Sequence, residues 1–146
     1  LVASTLGVGM LLTIAPARHV LEIRDPDHGH ALLQSLPTDA SGSFVLSFTH
    51  SMYGGRVTEQ YYMLNGALER TTVETETGGA AEYYAPLGNF HRAGSHWVVD
   101  VEPMVLPNLY VSVTPIGHQA IEAGGVRVDL GAIVPSGHTA ELVAES

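Results

Sequence analysis

Large apolar residues at every second position, cut by glycine-bearing turns, confine this chain to β-structure, most clearly over residues 44–63. Phe44, Leu46 and Phe48 alternate with Val45, Ser47 and Thr49, and His50 continues the apolar face. Beyond Gly54-Gly55, residues Val57, Glu59, Tyr61 and Met63 share one face, with Arg56, Thr58, Gln60 and Tyr62 on the other. A two-residue glycine turn suits a β-hairpin, because glycine adopts positive φ without steric cost. Counting outward from that turn predicts that Tyr53 pairs with Arg56, His50 with Glu59, Phe48 with Tyr61 and Leu46 with Met63. Two titratable side chains, His50 and Glu59, then lie side by side on a surface otherwise built for a core.

Such a pair has three readings. Buried carboxylates and imidazoles are costly unless paired or hydrogen-bonded, so the two residues can be a structural pair that fixes strand register. They can also form the floor of a ligand or metal pocket, with Ser51 and Tyr61 beside them. A base, an orienter and a nucleophile can be drawn from His50, Glu59 and either Ser51 or Tyr61, but no nucleophile-elbow or other catalytic motif supports that drawing.

The same period-two pattern recurs along the chain. Strands are predicted at residues 19–24, 31–36, 43–50, 56–64, 67–75, 96–101, 109–114, 118–122, 126–130 and 139–144. Asp25-Pro26-Asp27-His28-Gly29 and Thr38-Asp39-Ala40-Ser41-Gly42 are turn clusters. Asn65-Gly66 is a type I′ signal, and Gly124-Gly125 closes another hairpin. About ten short strands at this spacing predict an all-β domain over 18–146, an antiparallel sandwich or a partly closed barrel. No amphipathic helix is predicted within it. The longest gap, residues 76–92, carries Gly78-Gly79-Ala80-Ala81-Glu82-Tyr83-Tyr84 and is read as a functional loop.

Charge and composition narrow the partners. The chain has no lysine and no cysteine, six basic residues against 15 acidic ones, and a net charge of -9. It lacks a basic footprint, which argues against nucleic acid as a partner. Without cysteine there is no disulfide framework or thiolate metal site.

Residues 1–17 open with an apolar run to Ile14, followed by Ala15-Pro16-Ala17. The run is shorter than the roughly 20 residues that comfortably span a bilayer and has the length of a signal-peptide core. Because the sequence opens on Leu1 rather than Met, a basic n-region is expected upstream. An uncleaved, transmembrane helical anchor is expected here, with the soluble domain on the periplasmic or extracellular side.

Other candidate chemistry is local. Asp25, Asp27, His28 and His30 share one turn and offer oxygen and nitrogen donors for a metal, although the spacing matches no established motif and a solvated turn explains them as well. Tyr83 and Tyr84 can close over a pocket or dock on a partner. The Asn65-Gly66 turn puts Arg70 opposite Tyr61, diagonal to Glu59, where an Arg–Glu contact competes with the His50–Glu59 pairing. Met104, Val105 and Leu106, between prolines, are read as a loop plug or an exposed contact patch.

The order of these features resembles the domain of unknown function 1850 family. The likeness rests on Val20-Leu21-Glu22-Ile23, on Phe48-Thr49-His50-Ser51, on Val57-Thr58-Glu59-Gln60-Tyr61-Tyr62, and on the late Val126-Arg127-Val128-Asp129-Leu130. It puts His50, Ser51, Glu59 and Tyr61 on that family's signature positions. Arg56-Val57-Thr58-Glu59 departs from its usual Pro-Val-x-Glu, and Gly78-Gly79-Ala80-Ala81 only approximates its Gly-Ala-Gly. The resemblance implies a small protein encoded beside TRAP transporters of the TAXI type. The apolar leader, the all-β pattern, the acidic surface and the lack of a catalytic motif make the leading expectation a non-enzymatic, membrane-anchored accessory or scaffold subunit of a membrane complex, without a cofactor. A transporter accessory is the version the resemblance implies. The alternative is a small-ligand or metal-binding β-module centred on His50 and Glu59, and a hydrolase is the third reading.

Overall fold

The structure, a computed structural model, describes residues 19–145. The expected anchor over 1–17 lies outside the described residues. Among the described residues no helix is long and apolar enough to cross a membrane.

The chain runs through β1 (Val20–Asp25), β2 (Ala31–Pro37), β3 (Ser43–Thr49), β4 (Arg56–Leu64) and β5 (Ala67–Thr75), then a helix α1 (Gly78–Tyr84). It continues through β6 (Phe90–Ala93), β7 (His96–Val99), β8 (Met104–Leu106), β9 (Leu109–Ser112), β10 (Ala120–Ala123) and β11 (Val126–Asp129). A single helical turn, α2 (Leu130–Ile133), precedes β12 (Thr139–Glu145). All pairings are antiparallel and make two sheets, so the sandwich holds and no closed barrel forms among the described residues. One sheet has the order β2-β1-β12-β9. The larger has the order β11-β10-β3-β4-β5-β7-β6, with β8 on the free half of β5.

Alternation decides which face each strand buries. Leu21 and Ile23 of β1, Val111 of β9, and Ala140, Leu142 and Ala144 of β12 point inward from the small sheet. They meet Phe44, Leu46, Tyr61, Met63, Leu68 and Ile121 of the large one. The large sheet extends past its partner. There α1 takes over, burying Ala80 and Ala81 with Val57, Val73 and Val99, against Phe48, Trp97 and Phe90. Two coverings on one sheet leave a seam between them.

Four expectations are corrected. Strands β6 and β8 are additional to those predicted, which makes twelve among the described residues. The 76–92 segment is not a loop throughout, because α1 lies within it and β6 begins in it. The Met104–Leu106 segment is an edge strand on β5 rather than a plug. The β3–β4 register is shifted, with Leu46, not His50, opposite Glu59, and with Phe44 opposite Tyr61. Pairing closes at Thr49↔Arg56, and residues 50–55 form a longer loop tied by bonds from His50 N–H to the Gly55 carbonyl and from Gly54 N–H to the His50 carbonyl, both 3.0 Å. The displacement from His50 to Leu46 is an even number of residues, so every side chain keeps its predicted face.

Candidate functional site

Glu59 is a buried carboxylate on the inner face of β4, placed there by the same alternation that buries Val57 and Tyr61. Tyr61, two residues on and on the same face, donates its hydroxyl to Glu59 Oε2 at 2.5 Å. Tyr84, from α1, donates to Oε1 at 2.6 Å. Burial first, and then the Glu59 charge, push both phenols well above the ordinary tyrosine range, with Arg70 pulling the other way. Both tyrosines therefore remain hydrogen-bond donors at any physiological pH.

Arg70 stands opposite Tyr61 in the β4–β5 ladder, as the Asn65-Gly66 turn predicts, and both residues of that turn have positive φ. A bulge between Gln60 and Tyr61 shifts the register here, so Arg70 and Val73, three apart, both turn toward the inner face. The Arg70 guanidinium lies 3.6 Å from Glu59 Oε1 and 5.7 Å from the centroid of the Tyr84 ring. Its Nε is buried without a hydrogen-bond partner.

His50 is buried at the start of the loop and turned onto its own backbone. Its Nδ1 accepts from the N–H groups of Met52 (3.2 Å) and Tyr53 (3.3 Å). Acceptance at Nδ1 assigns the ring proton to Nε2. The His50 ring contacts Tyr53 at 5.2 Å and Tyr83 edge-on at 5.0 Å between centroids. No hydrogen bond joins His50 to Ser51 or to Glu59 among the described residues, so the catalytic drawing lacks its base–nucleophile link.

These groups line one cleft of about 540 Å³ along the seam. His50, Ser51, Glu59, Tyr61, Tyr83 and Tyr84 all face it, although only Glu59, Tyr61 and Tyr84 are joined by hydrogen bonds. Leu46 and Phe48 form its floor. Its far wall, Leu109, Val111, Ser112, Thr114 and Gln119, comes from β9 and the segment after it. The alternation of Leu109, Val111 and Val113 reads as core in the sequence, and nothing local marks β9 as a cleft wall. The tyrosine pair divides. Tyr83 is 63% exposed and packs edge-on against His50, whereas Tyr84 is turned inward onto Glu59. Consecutive helical residues lie about 100° apart, which sends the two rings in different directions.

The solvated turn that could also offer metal donors is rearranged as well. Asp25 caps the short 3₁₀ turn Pro26–His28, accepting from Asp27 N–H at 3.0 Å and from His28 Nδ1 at 2.7 Å. His30 leaves the group and bonds Glu141 Oε2 at 2.5 Å. His138 takes its place, so that donor atoms of Asp25, His28 and His138 lie within 4.8 Å of one another, with Asp27 Oδ2 3.5 Å from His138 Nδ1.

Glu141 is a second buried carboxylate that alternation alone does not flag. It accepts from His30, from Asn108 Nδ2 at 2.7 Å and from the Tyr110 hydroxyl at 3.2 Å.

Comparison with protein families, with curated proteins and with solved structures finds no match to this chain.

Proposed function

We propose that this protein is a non-enzymatic small-ligand-binding β-sandwich module whose site is the seam cleft. The single observation that carries this reading is the cleft itself. It combines apolar walls with a few convergent polar groups at its base, the composition of small-molecule sites, and its volume of about 540 Å³ falls in their usual range. The carboxylate at its base is already held by two phenol donors, which makes the polar groups a preorganised surface rather than a proton relay. His50 supports the wall by closing its own loop.

The test is a titration with N-phenyl-1-naphthylamine, a neutral fluorescent probe of apolar clefts. Saturable binding at one site per chain is expected, together with its loss in Leu109→Trp. Leu109 is half-buried on the inward face of β9, which it shares with Val111, so a larger ring there extends into the cleft. Unsaturable binding, or equal binding by a folded Leu109→Trp protein, rejects the reading.

A second reading is the accessory subunit of a membrane complex, of which a TRAP-type transporter is the version implied by the family resemblance. It is favoured by the exposed apolar residues at the cleft mouth: Met52, Tyr83, Met104, Tyr110 and Ile116. In that reading the ligand site and the docking surface share one rim.

A further inference from the structure

We propose that the ligand of this cleft is an amphipathic monoanion, a carboxylate with an apolar body, whose head is taken by Arg70. The inference rests on the cleft being a ligand site and adds the chemistry of what fills it.

Hydrogen-bond accounting at the base carries the argument. Glu59 has a donor on each oxygen, at 2.5 and 2.6 Å. The His50 Nδ1 acceptor is likewise committed. Arg70 is different. Its side chain is only 15% exposed, yet among the described residues it makes no side-chain hydrogen bond of ordinary length, its looser contact being with the Tyr61 hydroxyl, which itself donates to Glu59. The carboxylate nearest to it, Glu59, lies at 3.6 Å, beyond hydrogen-bond distance, and the Nε is buried without a partner. A guanidinium has five donors in a fixed plane and cannot shed its charge in a protein. The two Nη groups are not sealed as the Nε is and lack an acceptor, and a carboxylate matches their edge with two parallel bonds.

The remaining lining fixes the rest of the molecule. Away from Arg70 the walls carry Leu46, Phe48, Leu106, Leu109 and Val111, which solvate an aliphatic or aromatic body, beside the polar Ser51, Thr114 and Gln119. Glu59 already offsets the guanidinium charge from 3.6 Å, and the lining holds no second cation among the described residues, so a ligand with two negative charges is repelled.

The experiment is competition for N-phenyl-1-naphthylamine by three ligands of one tail length: decanoate, decanol and decylamine. Decanoate is expected to displace the probe about tenfold more effectively than decanol, the scale of one charge-assisted bidentate contact, with decylamine weakest. In Arg70→Gln, checked for folding by its thermal transition, the preference for decanoate over decanol is expected to collapse to about unity. Arg70→Lys, which keeps the charge and loses the fork, is expected to retain only part of it. Decanol or decylamine matching decanoate on the wild-type protein overturns the anion inference and leaves the cleft reading standing. So does a decanoate preference that survives Arg70→Gln. Failure of the probe itself to bind removes the cleft reading, and this inference with it.

Discussion

Glu59 and Glu141 are two buried carboxylates, and each is tolerated for the same reason: its oxygens are taken by donors. For Glu141, burial pushes the carboxyl up, but the bonds from His30, Asn108 and Tyr110 outweigh it and hold the group below its ordinary value of 4.5. A carboxyl depressed in the folded state stabilises the protein above its unfolded value and loses that contribution as pH falls through the folded one. Wild-type stability is therefore expected to fall on acidification below about pH 4.5, and Glu141→Gln is expected to flatten that fall. At neutral pH the same variant is expected to lose about 1–3 kcal/mol, the cost of disrupting a buried, bonded group. Urea melts of both proteins at about pH 7, 5 and 3.5 check the sign, and equal acid slopes reject it. At this scale the sequence announces His50 and Glu59 by placing them on an apolar face. It does not announce Glu141, because that carboxylate is buried by residues from 30, 108 and 110, which are remote in the chain.

Loops and helices here owe their shape to where glycine lets backbone approach. Gly55 has φ +72°, and a Cβ on it would lie 2.8 Å from Thr77 Cγ2, at the N-cap of α1. Gly79, inside α1, would place a Cβ 2.7 Å from the Tyr53 ring. The 50–55 loop and α1 thus pack as one cleft wall, with Thr77 accepting the Ala80 N–H at 3.3 Å to start the helix. Gly66 also has positive φ, +76°, but open space around it. Gly66→Ala is therefore expected to cost about 1 kcal/mol, the left-handed backbone penalty alone. Gly55→Ala is expected to cost about 2–3 kcal/mol, since the contact with Thr77 adds to that penalty, and to weaken probe binding by moving the wall. Paired urea melts and probe titrations test this, and equal costs at the two glycines reject the packing argument. The helix is hard to read from sequence because Gly78-Gly79 lowers its propensity and its buried face is mostly alanine. The His50–Glu59 register fails for a related reason. The Nδ1 of His50 offers the Met52 and Tyr53 amides a partner, so the chain closes a longer loop instead of a two-residue turn.

On the scale of the whole molecule, two groups of buried apolar residues share the large sheet, one under the small sheet and one under α1, and Phe48 touches both. That sharing predicts one cooperative unit. Trp97 belongs to the group under α1, and Leu142, fully buried, to the group under the small sheet. Leu142→Ala is expected to cost about 2–5 kcal/mol and to lower the midpoints seen by Trp97 fluorescence and far-UV circular dichroism together. Leu87→Ala, at a position 89% exposed, is expected to change stability by less than about 0.5 kcal/mol. Separated midpoints in Leu142→Ala would mean that the two groups unfold independently. From sequence alone came the all-β class, the ten predicted strand segments, the type I′ turn at Asn65-Gly66, the Tyr61–Arg70 pairing and the inward face of Glu59. All of these depend on a period of two and on glycine at turns, which are local properties of the backbone. The cleft was decided by tertiary structure. Its floor comes from β3 and β4, one wall from α1, and the other from β9, which joins the small sheet only by pairing with β12 at the far end of the chain. Which strands meet across a sandwich depends on non-local closure, and alternation carries no term for it.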